Sequence, residues 1–376
     1  MKNLRSLIWK AAVIGSLTLG ASPAGAVGST SASPAGQTQT ALVTELQVEQ
    51  QLAAVLAAHK NTANFKYKGD TSKFEALLDA ALMKALDKSP YMRYILDRYQ
   101  YAWKGSSALV NVTVSFTYRE TTEQTAYVDQ RVKGILGTII TPAMTSDEKV
   151  KAIHDWIVGD LKYDESLRNY TAYSGLTTGE AVCQGYTLLA YKLLSGAGIK
   201  SLIAEGTANG QPHAWNLVSL GGRWYHLDTT WDDPVGQKAG APISYDYYLL
   251  SDSEIKKDHS WTKAYPAAGV TYRTALSGLK RSDPAHAAVY RALEQELGYT
   301  LYEEGQSVSG SAGLITKAKE AIKAGKSEAT VRYSGQETQL VKDLGKLYTL
   351  NIQNITYYAE PLNGTKDLKV TIAWQN

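Results

Sequence analysis

The chain has 376 residues, 44% hydrophobic and 20% charged, enough for two or three domains with proper cores and ordinary for a soluble protein. Its 39 Lys+Arg against 36 Asp+Glu leave a formal charge of +3, and no basic patch points to nucleic acid. One cysteine and six scattered histidines exclude an internal disulfide framework and give no zinc signature.

Residues 1–26 read as a secretory signal. Lys2, Arg5 and Lys10 form the positive region, Ala11 to Leu19 a short apolar core, and Ala24-Gly25-Ala26 the cleavage site. The apolar run is too short to span a bilayer, and no later stretch is long enough. A secreted or cell-envelope protein without a membrane span after signal removal is expected. The signal carries three basic residues and no acidic ones, so the mature chain is formally neutral and lacks steering toward an acidic wall polymer. Residues 27–40, rich in Ser, Thr, Ala, Gly and Pro, suit a disordered leader.

Helical periodicity begins near Leu42 and continues through Leu46, Leu52, Val55 and Leu56. A short strand at Phe65 to Lys68 and a helix from Phe74 to Leu86 follow. Val110, Val112, Val114, Phe116 and Tyr118 then alternate with Asn111, Thr113, Ser115 and Thr117, the pattern of a half-buried strand. Residues 41–140 thus form an N-terminal α+β module. Thr145-Ser146-Asp147-Glu148 opens the next helix with a capping-box pattern, and Val150, Ile153 and Ile157 are its buried stripe. Ser251 to Trp261 and Asp283 to Leu297 read as connecting segments or helices.

The C-terminal end repeats the plan of the N-terminal module. A helix near Leu314 to Ile322 leads to a strand at Val331, a helix around Leu340 to Leu347, and a last strand alternating Leu368, Val370, Ile372 and Trp374. Tyr67-Lys68-Gly69 matches Tyr333-Ser334-Gly335, and Val112-Thr113-Val114 matches Val370-Thr371-Ile372. Residues 283–376 are therefore expected to be a second copy of the module, flanking a central domain at 141–265.

The chemistry lies in the central domain. Cys183 opens an apolar stretch in which Leu188, Tyr191 and Leu194 recur at helical spacing until Gly196 and Gly198 end the run. A cysteine in a first helical turn meets unpaired N–H groups and the positive end of the dipole, which favour a thiolate and can bind an oxyanion. Gly221-Gly222, flanked by Leu217-Val218-Ser219-Leu220 and Arg223-Trp224-Tyr225, is a two-residue hairpin turn. With Leu220 facing Arg223, His213 faces Thr230 and Asp228 faces Trp215. His213 and Asp228 then share one face as diagonal neighbours, with Cα atoms roughly 7–8 Å apart, whereas a one-residue slip would part them. Cys183 as nucleophile, His213 as proton carrier and Asp228 as imidazole orienter make a thiol acyl-transfer triad. Taken singly, His213 could be a strand-end histidine and Asp228 a turn cap. His226 shares that face, with Leu217 as partner, and reads as structural. His154 lies on the helix before the site. Asp232-Asp233-Pro234 lacks the spacing of a calcium loop, and no required metal or cofactor is expected.

Cys-Gln-Gly-Tyr at 183, His-Ala-Trp-Asn at 213 and Trp-Tyr-His-Leu-Asp-Thr-Thr-Trp-Asp-Asp-Pro from 224 closely resemble the transglutaminase-like superfamily. The nearest likeness is to secreted bacterial members of the cytokinesis-associated transglutaminase/protease-like type, extended by Tyr247 to Asp252 and His259-Ser260-Trp261. The resemblance spans about Asp147 to Trp261. It implies an α+β, papain-like fold, with a cysteine-bearing helix on an antiparallel sheet, and Cys183, His213 and Asp228 as triad. Animal transglutaminases place a tryptophan upstream of the cysteine to stabilise the oxyanion, yet none lies between Trp156 and Cys183. Tyr163 is the candidate substitute. Their calcium sites have no matching residues.

Two functions are expected to compete. The first is a secreted enzyme acting on peptide or protein amides, cell-wall peptide among them, as transglutaminase or as cysteine peptidase/amidase. The second is a catalytically silent envelope protein with a vestigial triad, whose flanking modules bind or space.

Overall fold

The computed structural model describes residues 41–106, 108–233 and 243–375. The expected signal at 1–26 and leader at 27–40, and Pro234 of the acidic tract, lie outside them. The chain divides into two compact units between Gly269 and Val270. No helix among the described residues is long and apolar enough to cross a membrane.

The first unit begins with α1 (Glu45–Ala57), capped by Thr44 in a full capping box with Gln47, the arrangement that satisfies the free amides of a helix start. Its buried stripe, Val48, Leu52, Val55 and Leu56, packs on α2 (Phe74–Asp87). Strand β1 (Thr62–Lys68) lies between them in sequence. Helix α3 (Pro90–Ile95) leads into β2 (Leu96–Gly105), and β3 (Leu109–Tyr118) completes an antiparallel sheet of order β1-β3-β2. β2 was not expected. Its pairing with β3 shifts register between Leu96 and Arg98, so the inward residues Leu96, Tyr99 and Tyr101 lose the alternation that betrays a strand.

Helix α4 (Thr122–Ile139) is likewise new. Its single buried stripe is Val128, Val132 and Ile135, and it packs on the three helices that follow it in the chain. Next come α5 (Ser146–Asp160), capped by Thr145 with Val150, Ile153 and Ile157 buried, and β4 (Lys162–Tyr163). α6 (Ala172–Thr178) precedes β5 (Glu180–Ala181), which pairs parallel with β4. α7 (Cys183–Gly196) then packs on β6 (Ser201–Ala208) and β7 (Gln211–Leu220). With β8 (Arg223–Leu227), α8 (Asp252–Ile255) and β9 (His259–Ser260), the sheet order is β8-β7-β6-β9, all antiparallel. A cysteine-bearing helix on an antiparallel sheet is the α+β core expected.

The second unit starts with α9 (Tyr272–Ser282), which packs on α10 (Ala287–Glu296). It therefore begins before the expected residue 283. β10 (Ser307–Val308), α11 (Gly310–Lys323), β11 (Glu328–Tyr333), α12 (Glu337–Leu344), β12 (Gln353–Pro361) and β13 (Leu368–Gln375) follow. The sheet order β10-β11-β13-β12 repeats β1-β3-β2 with one added edge strand. Registers agree as well: Tyr67 pairs with Val110, and Tyr333 with Leu368. In both copies the tyrosine ring lies over the glycine two residues on, a ring carbon standing 2.7 Å from a Cβ built on Gly69 and 2.7 Å from one on Gly335, space that any side chain would fill.

Candidate active site

Cys183 is the first residue of α7, where its N–H has no acceptor within the helix. It is buried, at 2% exposure. The residues after it explain themselves by packing. Gln184 Nε2 donates to the Tyr94 carbonyl at 2.9 Å, anchoring the helix start on α3. A Cβ on Gly185 would stand 2.7 Å from the Ala181 Cβ and 3.1 Å from the Thr171 carbonyl, so only glycine lets β5 and the Thr171 loop close on the helix. Tyr186 donates its hydroxyl to Asp233, and Thr187 donates to the Ala214 carbonyl at 2.9 Å, fastening α7 to β7.

His213 stands on β7 and is buried. Its Nε2 donates to Asp228 Oδ2 at 2.7 Å, and the ring lies within electrostatic reach of the Cys183 sulfur. The hairpin register is the expected one, Leu220 opposite Arg223 and Leu217 opposite His226. The ladder ends at Asn216 and Leu227, so the pairing of His213 with Thr230 does not form. Asp228 instead begins a turn, its Oδ1 accepting the N–H groups of Thr230 at 3.1 Å and Trp231 at 3.3 Å. Turn cap and imidazole partner, posed as alternatives, are both true of Asp228, one oxygen for each.

The electrostatics follow from that burial. Desolvation alone would lower the His213 pKa, but the Asp228 carboxylate and the Cys183 sulfur outweigh it and push it up to about 10. Burial opposes ionisation of Asp228 too, yet His213 and a second imidazole, His259, hold it below the usual carboxylate range. His259 Nε2 lies 3.0 Å from Asp228 Oδ2, and sequence reasoning gave it no role. It enters on two-residue β9, beside β6, and the only local trace of that approach is Gly206, where a Cβ would meet the Ser260 carbonyl at 2.0 Å.

Two apolar walls flank the triad. On the cysteine side, half-buried Tyr163, Leu167 and Tyr170 pack against Val182 and Cys183; Tyr163 is brought there by the β4–β5 pairing. On the histidine side, Trp231 lies 4.8 Å from the His259 ring and 6.1 Å from that of His213. The loop carrying Leu167 is organised by buried Asp164, which accepts the N–H groups of Ser166, Arg168 and Asn169 at 2.8–2.9 Å. Leu167 itself holds a left-handed φ of 56°, a strained setting for a branched apolar residue.

The other histidines stand apart. His226 Nδ1 accepts from Trp215 Nε1 at 2.9 Å and its Nε2 donates to Asp252 at 2.8 Å, a neutral, structural ring whose pKa burial lowers. His154 sits between Asp155 and Asp232, at 3.0 Å from each. The acidic pair that lacks calcium-loop spacing is hydrogen-bonded within the fold: Asp232 to His154 and Ser244, Asp233 to Tyr186, and burial pushes both up to about 6. Among the described residues, His213, Asp228 and His259 are the group whose donor atoms, within 4.8 Å of one another, could hold a metal ion; both imidazoles already bond Asp228 Oδ2.

Residues 133–229 match the transglutaminase-like superfamily. Kyphoscoliosis peptidase from Homo sapiens is 24% identical over 190 residues, and that from Mus musculus 26% over 188. Each alignment covers 43% of this chain and 28% of the relative, so the chain spans under a third of these relatives' length. A solved TGase structure aligns with a TM-score of 0.29 at 15% identity, covering 49% of this chain and 56% of the other.

Proposed function

From the premise of a transglutaminase-like core at residues 133–229, we propose that this is an exported thiol enzyme that transfers the acyl group of peptide or protein amides. The observation that carries the reading is buried His213, hydrogen-bonded to Asp228 Oδ2 at 2.7 Å and raised in proton affinity by the neighbouring Cys183 sulfur. Cys183 Sγ, its proton already held by His213, attacks the amide carbonyl. Collapse of the tetrahedral adduct breaks the C–N bond, and His213 returns that proton to the leaving amine. The resulting thioester is resolved by water, giving hydrolysis, or by a second amine, giving a cross-link. Asp228 fixes the imidazole tautomer and supports its cationic form. The Cys183 N–H, with Tyr163 from the facing wall, is the candidate oxyanion donor set.

The test is the pH dependence of Cys183 alkylation by iodoacetamide, in the wild type and in His213→Ala. A rate that stays high into the acid range and collapses in the variant supports the reading. Slow, ordinary thiol behaviour in both proteins overturns it. The second reading, a silent binding protein, is favoured by one observation, the 2% exposure of Cys183 beneath Tyr163, Leu167 and Tyr170, and the same measurement decides between them. Amine incorporation into a glutamine-containing peptide then separates cross-linking from hydrolysis.

A further inference from the structure

His259 faces a carboxylate at both ends of its ring. Its Nε2 lies 3.0 Å from Asp228 Oδ2 and its Nδ1 2.6 Å from Asp258 Oδ1. A neutral imidazole has one N–H and one lone pair. A lone pair held 2.6 Å from a carboxylate oxygen is repulsive, so both nitrogens of His259 carry protons. His226, in the same sheet, is the contrast. One of its nitrogens accepts from the Trp215 indole, so that ring needs a single proton and stays neutral. His259 is therefore a buried cation with an anion at each end, and Asp258 is itself steadied by the Tyr247 hydroxyl at 2.6 Å.

We infer that His259 is a positioning residue of the triad: an imidazolium that shares Asp228 Oδ2 with His213, holds that oxygen in place and sets the pH range of the thiol–imidazole pair. The backbone is shaped to seat it. Thr207 pairs with Ser260 and Ala208 with His259, and Gly206 is the residue that lets β9 come so close. The His259 and His213 ring centroids are 5.4 Å apart, near enough for one charge to act on the other. The titratable groups facing His259 are Asp228 and His213 from the hairpin side, Asp258 before it in the chain, Tyr247 across its ring and, farther off, His226. A cation here draws on the charge of Asp228 that would otherwise serve His213 alone. It thereby moderates the proton affinity of His213, and it favours negative charge on the neighbouring sulfur.

This inference rests on the thiol–imidazole reading of the site, and the experiment separates the two. The pH profile of Cys183 alkylation by iodoacetamide, a neutral reagent, is measured for the wild type, His259→Gln and Asp258→Asn. Glutamine keeps a donor for Asp228 and removes the charge, so the site binds protons more tightly and the whole profile moves to higher pH. A unit charge about 5 Å away at an effective dielectric constant of about 20 is worth about 2.4 pH units. Asp258→Asn lets His259 revert to a neutral donor and removes an anion at the same time, so it moves the profile the same way by less. It also decides the matter if His259→Gln does not fold. Nitrogen-15 shifts of an imidazolium at His259 and of a neutral ring at His226, at about pH 7, are the accompanying signature. A variant profile that keeps its position while the rate or the melting temperature falls makes His259 merely structural and overturns the inference. A wild type with ordinary thiol behaviour brings down the proposed function, and this inference with it.

Discussion

At the residue scale the chemistry turns on His213. Its pKa is raised from 6.5 to about 10 by Asp228 and Cys183 against the pull of burial. The charged ring is thus favoured in the folded chain. The stability it contributes is complete below about pH 6.5 and is lost as pH rises through about 10. Melting curves of the wild type and His213→Ala should accordingly converge between those limits, and the proposed acyl transfer, which needs the imidazolium to protonate the leaving amine, should fade over the upper end. Asp228→Asn removes the charge that holds His213 up; the high-pH limb should then move down, read from the same titration. His154 tests a different use of the same side chain. Buried between Asp155 and Asp232, it should cost about 3 kcal/mol when replaced by alanine, since a buried carboxylate loses its partner; urea denaturation measures this directly. The placement of the candidate site was legible because each residue sits beside a strong local signal: a helix start for Cys183, a Gly-Gly turn that fixes the parity of His213 and Asp228. His259 was not, because nothing near it in sequence reveals the long-range pairing of β9 with β6.

At the element scale, close approach decides more than propensity. Gly185→Ala places a Cβ against Ala181 and the Thr171 carbonyl, which should cost about 1–3 kcal/mol by overpacking and lower the alkylation rate as the start of α7 shifts. Leu167 makes the opposite case. Glycine removes the left-handed strain, worth about 1–3 kcal/mol, and with it a half-buried side chain of similar value. Leu167→Gly should therefore melt within a few degrees of the wild type while uncovering Cys183, so that iodoacetamide reacts faster; slower reaction would show that this wall holds the nucleophile rather than covering it. Elements with whole, regular stripes, such as α2, α5 and β3, were readable. β2 was not, because a register shift breaks its alternation, and α4 was not, because only three of its residues are buried.

For the whole molecule, the repeated Tyr-x-Gly and Val-Thr-Val/Ile strings exposed the duplicated plan, since they mark the same strand and the same turn in both copies. The start of the second copy escaped because α9 carries no composition break at its ends. The second unit has its own core, in which Leu314, Val331, Tyr333, Leu340, Val370 and Trp374 are buried together. Residues 270–376 expressed alone should unfold in one cooperative transition by circular dichroism; a sloping, non-cooperative melt would show that this core depends on the rest of the chain. The first unit has a different dependence, one of timing. Asp228 is gripped at once by its own turn, by β7 and by β9, three stretches that meet only when the sheet closes. Contacts between such distant segments form late in folding. Until then Cys183 lacks its proposed imidazole partner, so the candidate site is completed as the last act of the chain's assembly.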